Sequence, residues 1–254
     1  MSNASTPETR PAESSGGETL RTIVFAVLIA LVIRTFAFEP FNIPSSSMVP
    51  TLLIGDFLFV SKYSYGYGSR GTFWGLVPFK GRIPENEGPK RGEIVVFKWP
   101  KDNSTDYIKR VIGLPGDKVQ MKDGLLYING KVVDRARLPS PVLEPGETLQ
   151  EPATDYIEHL PEGPEHVIRK RDNIDDPLDN TEEFAVPPGH YFMMGDNRDN
   201  SQDSRTTNVG YVPEENLVGR ARLIFFSLKD DVRFWQVWKW PWAVRWDRLF
   251  RTIE

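Results

Sequence analysis

Phe41 to Leu52 reads FNIPSSSMVPTL, three consecutive serines framed by prolines and apolar residues. A serine hydroxyl is a poor nucleophile until a base removes its proton, so a reactive serine here needs a partner from elsewhere in the chain. Ser47, next to Met48, is the candidate nucleophile. Cysteine is absent, which removes thiol nucleophiles, disulfides and thiolate metal sites. The three histidines, His159, His166 and His190, are scattered, and the first two fall in an acidic, proline-rich region that reads as loop. Counting leaves a Ser-His-Asp triad open, but none of the three sits in a setting that points to chemistry. Lysine and carboxylate remain as bases. Lys109 lies within Asp106 to Ile112, DYIKRVI, where strand alternation puts it on one face with Tyr107 and Val111, opposite Ile108, Arg110 and Ile112. Burial disfavours an ammonium ion, so such a lysine could shed its proton near neutral pH and serve Ser47 as general base. The same residue also fits a solvated strand edge. Gly195 to Arg205, GDNRDNSQDSR, fits either a charged loop or a hydrogen-bond network beside a site. It lacks the bidentate glutamate of an EF-hand calcium loop. The chain has no G-x-S-x-G elbow and no lysine three residues after a serine, so two common serine-enzyme signatures are missing.

The elements that must position these residues follow from composition and pattern. The chain has 254 residues, 39% hydrophobic and 26% charged, enough for one large core or two modest ones. A net charge of -4 carries no basic surplus and argues against nucleic acid as a main partner. Met1 to Gly17 is polar and reads as a disordered tail. Thr19 to Phe38 is apolar from Ile23 to Ile33, broken at Arg34, and apolar again to Phe38. The unbroken run is short for a span of about 20 residues, though Arg34 near one end can snorkel to the interface. A retained anchor, a cleaved export signal and a buried helix all fit this segment.

Beyond residue 40 helical periodicity is scarce, and short strands separated by turn signals predict an all-β body. Strands are expected at Asp56–Tyr63, Glu93–Trp99, Asp106–Ile112, Phe184–Met194 and Leu217–Leu228, with a hairpin at Asn129-Gly130 and a turn at Leu114 to Asp117. Tyr65–Gly92 reads as a long surface loop. Arg135–Glu183 reads as a solvated acidic insertion with one or two short strands around Tyr156 and Val167. Trp235, Trp238, Trp240, Trp242 and Trp246 interleave with lysine and arginine, which suits either a membrane interface or packing on the β body.

Four blocks in order resemble the bacterial type I signal peptidases: Ile43 to Leu52, Arg91 to Phe97, Tyr107 to Asp117 and Gly195 to Arg205. The resemblance covers Phe36 to about Ser227. It implies Ser47 as nucleophile, Lys109 as general base, and Ser45 with the Ser47 backbone N–H as oxyanion hole. Ser201 would hold the lysine amine, Asp203 and Arg205 would form a supporting ion pair, and Asp196 would brace Arg110. Ile43, Pro44, Met48 and Ile108 would shape a pocket for a small side chain. No cofactor and no metal are implied. The implied fold is mainly β, two abutting antiparallel β-sheet regions on a single N-terminal transmembrane helix. That gives a disordered tail over 1–18, an anchor over 19–38, and an extracytoplasmic catalytic domain over 39–254 with the insertion at about 135–183. The implied location is the cytoplasmic (inner) membrane, single-pass, with the domain on the periplasmic side. Partners would be exported preproteins with small-x-small cleavage sites and membrane lipid, with no nucleic acid. The family often has glycine where this chain has Ser46, and often two spanning segments where one is found here. Two rival readings are a Ser-Lys self-cleaving repressor, which would need a DNA-binding domain in place of residues 1–38, and a membrane-tethered β-domain that binds peptides without cutting.

Overall fold

The computed structural model describes residues 15–68, 82–83, 87–143, 151–172, 176–229, 232 and 235–253. Helix α1 runs Ser15–Phe36, starting inside the stretch read as tail; the remainder of that tail lies outside the described residues. Leu, Ile, Val and Ala recur all round α1, so it has no polar face, and Ile23, Phe25, Leu28 and Val32 are each about half exposed. Among the described residues, no helix is long and apolar enough to cross a membrane. Phe38, placed at the end of the apolar segment by pattern, instead opens the first strand.

The strands are β1 Phe38–Asn42, β2 Asp56–Ser61, β3 Tyr67–Gly68, β4 Arg82–Ile83, β5 Ile94–Lys98, β6 Asp106–Gly113, β7 Lys118–Lys122, β8 Leu125–Ile128, β9 Lys131–Val132, β10 Asp134–Arg137, β11 Ala153–His159, β12 Glu165–Arg171, β13 Phe184–Ala185, β14 His190–Met194, β15 Val212–Pro213, β16 Leu217–Ser227 and β17 Arg251–Thr252. The largest sheet has the order β1-β2-β16-β5-β6-β14-β15, with β17 on β16; β13-β7-β8-β9, β10-β11-β12 and β3-β4 form three more. The ladders are antiparallel, as the turn-punctuated pattern predicts. Ile94 to Phe97 are all buried, which is why β5 reads as a continuous apolar run instead of an alternation: both of its faces are covered. One core cluster packs Ile43, Met48, Leu52, Leu58 and Ile94 beneath the serine turn. A second joins Ile112, Phe192 and Met194 of the large sheet to Val119, Met121, Leu126 and Ile128 of the four-stranded sheet.

Several expectations change in detail. Asn129 and Gly130 both take positive φ, 52° and 75°, the geometry a two-residue hairpin turn demands. The Phe184–Met194 run splits into β13 and β14 around Pro187, Pro188 and Gly189. The described ends of the Tyr65–Gly92 stretch are ordered, not merely looped. Arg82 donates to the carbonyls of Tyr65 (2.6 Å), Gly66 (2.5 Å), Glu214 (3.0 Å) and Leu217 (3.0 Å), pinning β4 to the body. The acidic insertion is no solvated excursion. Tyr156 and Val167 lie in seven-residue strands β11 and β12, where Asp155, Glu158, His166 and Arg169 are buried. Its alternating charges disguise these strands, because the buried positions carry paired ions instead of apolar groups.

The packing reading of the tryptophan-rich end holds for one of the five rings. Trp240 packs at 4.9 Å from the Phe226 ring, while Trp235, Trp238, Trp242 and Trp246 are exposed. Arg248, fully buried, clasps Asp56 of β2 through Nε (3.1 Å) and Nη2 (2.6 Å) and so locks this segment to the sheet. Arg248→Ala leaves the buried Asp56 without its cation and should lower unfolding free energy by about 3–5 kcal/mol in urea titration. A loss under about 1 kcal/mol would show that the Ser227 hydroxyl, 2.6 Å from Asp56 Oδ1, suffices alone.

Candidate active site

The serine turn leaves β1 and is tied down at both ends. Ile43 N–H donates to Asp56 O (2.8 Å), Gly55 N–H to Ile43 O (3.0 Å) and Leu52 N–H to Met48 O (2.9 Å). Met48 is wholly buried and plugs the core below, which presents Ser47 upward. Met48 was expected to help shape the pocket; it supports the serine turn from beneath instead, while Ile43, Pro44 and Ile108 line the cleft.

Strand β6 brings Lys109 to the serine. The two are far apart in sequence, yet Lys109 Nζ hydrogen-bonds Ser47 Oγ in a buried setting. Lys109 is 4% exposed, and its Nζ lies 6.0 Å from the Tyr107 ring. Burial pulls its pKa down from 10.5 to about 8, against the opposing pull of Asp203 and Asp196 and with help from Arg205. The solvated-edge reading is therefore overturned, although Ile108, expected on the opposite face, lines the same cleft as Lys109. Ser45 Oγ lies 3.3 Å from Ser47 Oγ on the exposed side.

Gly195–Arg205 closes the site from the other direction as a network. Asp196, buried, accepts from Arg110 Nε (2.9 Å) and Nη2 (2.8 Å) and from Thr51 Oγ1 (2.5 Å). Burial acts to raise the Asp196 pKa, but the Arg110 guanidinium outweighs it and keeps the carboxyl below its ordinary range. Asp203 accepts from Arg205 Nε and Nη2, both at 2.9 Å, and from Gly195 N–H at 3.0 Å. Again burial opposes and the arginine prevails, so Asp203 stays ionised. Ser201 Oγ is shielded from solvent but makes no hydrogen bond to the described protein atoms, so the expected Ser201–Lys109 bond is not formed. Ser201 does sit in the cleft wall with Lys109. Gly195 explains the tight join: a Cβ there would overlap Ser201 Oγ and come within 2.5 Å of the Ser47 carbonyl.

Several residues escaped sequence reasoning. Asn197 N–H donates to Ser47 O (3.1 Å), its Nδ2 to Ser46 O (3.1 Å), and Asn200 Nδ2 to Ser46 Oγ (2.8 Å). Ser46 thus holds the two loops together. The insertion braces the same loop: Arg169 N–H donates to Asp196 O (2.8 Å), and Arg198 reaches both oxygens of buried Glu158. His166 lies buried in β12, not in a loop. Burial, then Arg110, lowers its pKa to about 4, so it is neutral. It sits 3.4 Å from Glu158 Oε2, yet neither ring nitrogen makes a hydrogen bond. The Arg–Asp pairs were implied by the family resemblance; the asparagine bridges carry no sequence signal of their own. Among the described residues no cluster of side chains could hold a metal ion.

Ser47, Lys109, Ile43, Pro44, Ser45, Ile108 and Ser201 share one open cleft of about 780 Å³. A neutral amine bonded to a hydroxyl there can remove that proton. The cost of the buried amine is testable. In the folded chain the Lys109 pKa is below its unfolded value, so the unfolded state binds more protons between about 8 and 10.5, and stability rises with pH across that window. Lys109→Met should therefore stabilise the fold at pH 7 by up to about 3 kcal/mol, with the gain fading by pH 10.5. Urea titrations of both proteins at pH 7 and above 10 would show this; a gain independent of pH would mean that burial does not depress the Lys109 pKa.

Comparison with known proteins identifies the family. A family model described as "Signal peptidase, peptidase S26" matches residues 17–226. Signal peptidase I of Rickettsia canadensis is 41% identical over 251 residues, covering 92% of each chain. Signal peptidase I of Rickettsia conorii is 42% identical over 253 residues, covering 91% of each. A solved signal peptidase I from Enterococcus faecalis, 26% identical, covers 53% of this chain and 97% of its own, with a TM-score of 0.32.

Proposed function

This chain belongs to the signal peptidase family, peptidase S26, as a signal peptidase I hydrolase, and from that premise we propose that it is a membrane-bound serine endopeptidase cutting signal peptides from exported preproteins with a Ser/Lys dyad. The observation that carries the reading is the buried hydrogen bond between Lys109 Nζ and Ser47 Oγ at the floor of an open cleft.

In this reading Lys109, neutral, takes the Ser47 proton as Oγ attacks the scissile carbonyl. The Ser45 hydroxyl and the Ser47 N–H hold the oxyanion, a kind of donation worth about 3 kcal/mol per donor. The lysine then returns its proton to the leaving amine, and water hydrolyses the acyl-enzyme by the same route in reverse. Asp196 with Arg110, and Asp203 with Arg205, keep the surrounding carboxylates occupied. Ser201 flanks the amine in the cleft wall. Ile43, Pro44 and Ile108 leave room for a small side chain before the cut, which favours small-x-small substrates.

Surfaces that water does not suit support a membrane location. Helix α1 is apolar on all sides and exposed, a pattern that needs an apolar surround. The Ile23–Ile33 run alone would reach only about 16 Å into a core of about 30 Å, so Arg21 and Arg34 must snorkel if the helix crosses. The exposed indoles of Trp235, Trp238, Trp242 and Trp246 suit a headgroup layer. We assign the helix over Ser15–Phe36 as a single anchor and the β body that begins at Phe38 as an outward-facing domain on the inner membrane. Exported preproteins and lipid are its partners.

Ser47→Ala and Lys109→Met should each lower cleavage of a preprotein carrying Ala-x-Ala before the cut by about 10³-fold or more while the fold persists. Wild-type rates in either would remove the dyad. Wild-type activity should also rise with pH through about 8 as the amine loses its proton, measured as kcat/KM. An acid limb centred well below this, unmoved by changes around Lys109, would assign the base elsewhere.

A further inference from the structure

One wall of the cleft takes no part in the chemistry above. Leu178 forms it together with Asp199, Asn200 and Gln202. Leu178 belongs to the insertion, on a short 3-10 turn over Pro177–Asp179. That turn is fixed without any help from the leucine. Its N–H donates to Asp176 Oδ1 (2.8 Å), and the Asp179 carbonyl accepts from Gly124 N–H (3.0 Å). Lys170 Nζ bridges Asp179 Oδ1 (2.5 Å) and Asp199 Oδ1 (2.8 Å), tying the turn to the loop that carries Ser201. The bond from Asn200 Nδ2 to Ser46 Oγ sets this wall directly beside the serine turn. The result is a half-buried leucine held by polar anchors at the cleft, among neighbours that are otherwise hydrophilic.

A substrate chain lying across Ser47 has two sides. If Ile43, Pro44 and Ile108 receive the residue before the cut, Leu178, in the rest of the same cleft lining, is left for the residues after it. We infer that Leu178 is a specificity-determining contact for the first residues after the scissile bond and favours an apolar side chain there. This rests on the endopeptidase reading above. The physical gain is the removal of apolar surface from water on both partners. The insertion, whose acidic composition suggested a solvated elaboration, thereby supplies a piece of the substrate cleft.

The test uses the full-length chain in detergent and preprotein peptides with Ala-x-Ala before the cut. The second residue after the cut is Leu, Ala or Glu, and kcat/KM is read for wild type, Leu178→Ala and Leu178→Lys. Wild type should favour Leu over Ala. Leu178→Ala should lose about fivefold of that preference, within the range one apolar contact commands. Leu178→Lys should shift the ranking toward Glu. Neither change should alter the ranking of residues before the cut, nor the urea midpoint. If wild type cuts the peptides and both variants keep its ranking, or lose rate equally on every peptide, the inference falls while the endopeptidase reading stands. If wild type cuts none of them, that reading falls and this inference with it.

Discussion

A lysine amine held dry, with no carboxylate of its own, is the constraint on which the rest of this structure depends. Two carboxylates, Asp196 and Asp203, are near enough to pull the Lys109 pKa upward. Each is already gripped by two nitrogens of an arginine, Arg110 and Arg205 respectively. An unpaired carboxylate so close would hold the lysine as an ammonium ion and remove its use as a base. Buried Arg–Asp pairs contribute uncertain net stability. Here their effect on the neighbour matters more: they let burial, the largest influence on Lys109, prevail.

That constraint explains why so much ionic structure is buried around one short strand. Arg110 follows Lys109 on β6 and points its guanidinium to Asp196, while its Nη1 donates to Gly92 O (2.6 Å). Asp196 in turn takes the Thr51 hydroxyl, so the pair also holds the far end of the serine turn. The chain segment after Gly195 is braced from behind by β12. Arg169 and Arg198 each reach a buried acid of β11, Asp155 and Glu158. Removing any one acid would strand an arginine in a place water does not reach, so these links stand or fall together.

What was legible in the sequence follows the same division. Lys109 could be picked out as a candidate from its apolar strand, but its pairing with Ser47 was implied only by the family resemblance; the core strands were readable from β-branched and aromatic runs such as Ile94 to Phe97. The hairpin at Asn129-Gly130 announced itself through the only residues that tolerate its φ values. Illegible were the features set by partners distant in sequence. The family resemblance made Met48 a pocket residue, but the turn directs it into the core. The strands of the insertion were foreseen around Tyr156 and Val167, but their burial was not, because their inward positions include Asp155, Glu158, His166 and Arg169, residues a hydropathy pattern assigns to solvent. Helix α1 was foreseen as an apolar segment, while its start at Ser15 was not, since a glycine pair and a serine give no helical signal.

The three serines show how position within a few residues can separate roles that composition cannot. All have the same hydroxyl. Ser47 is buried and meets the amine; Ser45 stays exposed, 3.3 Å from Ser47 Oγ; Ser46 turns away to Asn200. The Ser46 bond also changes the meaning of a residue that replaces the family's frequent glycine. A glycine would give the turn more freedom, whereas the serine ties it to the loop carrying Ser201, adding one more link between nucleophile and cleft wall. Rigidity of that link matters because the attacking oxygen must meet a carbonyl at close to 3 Å, and a loose turn would forfeit much of the advantage of holding the two together.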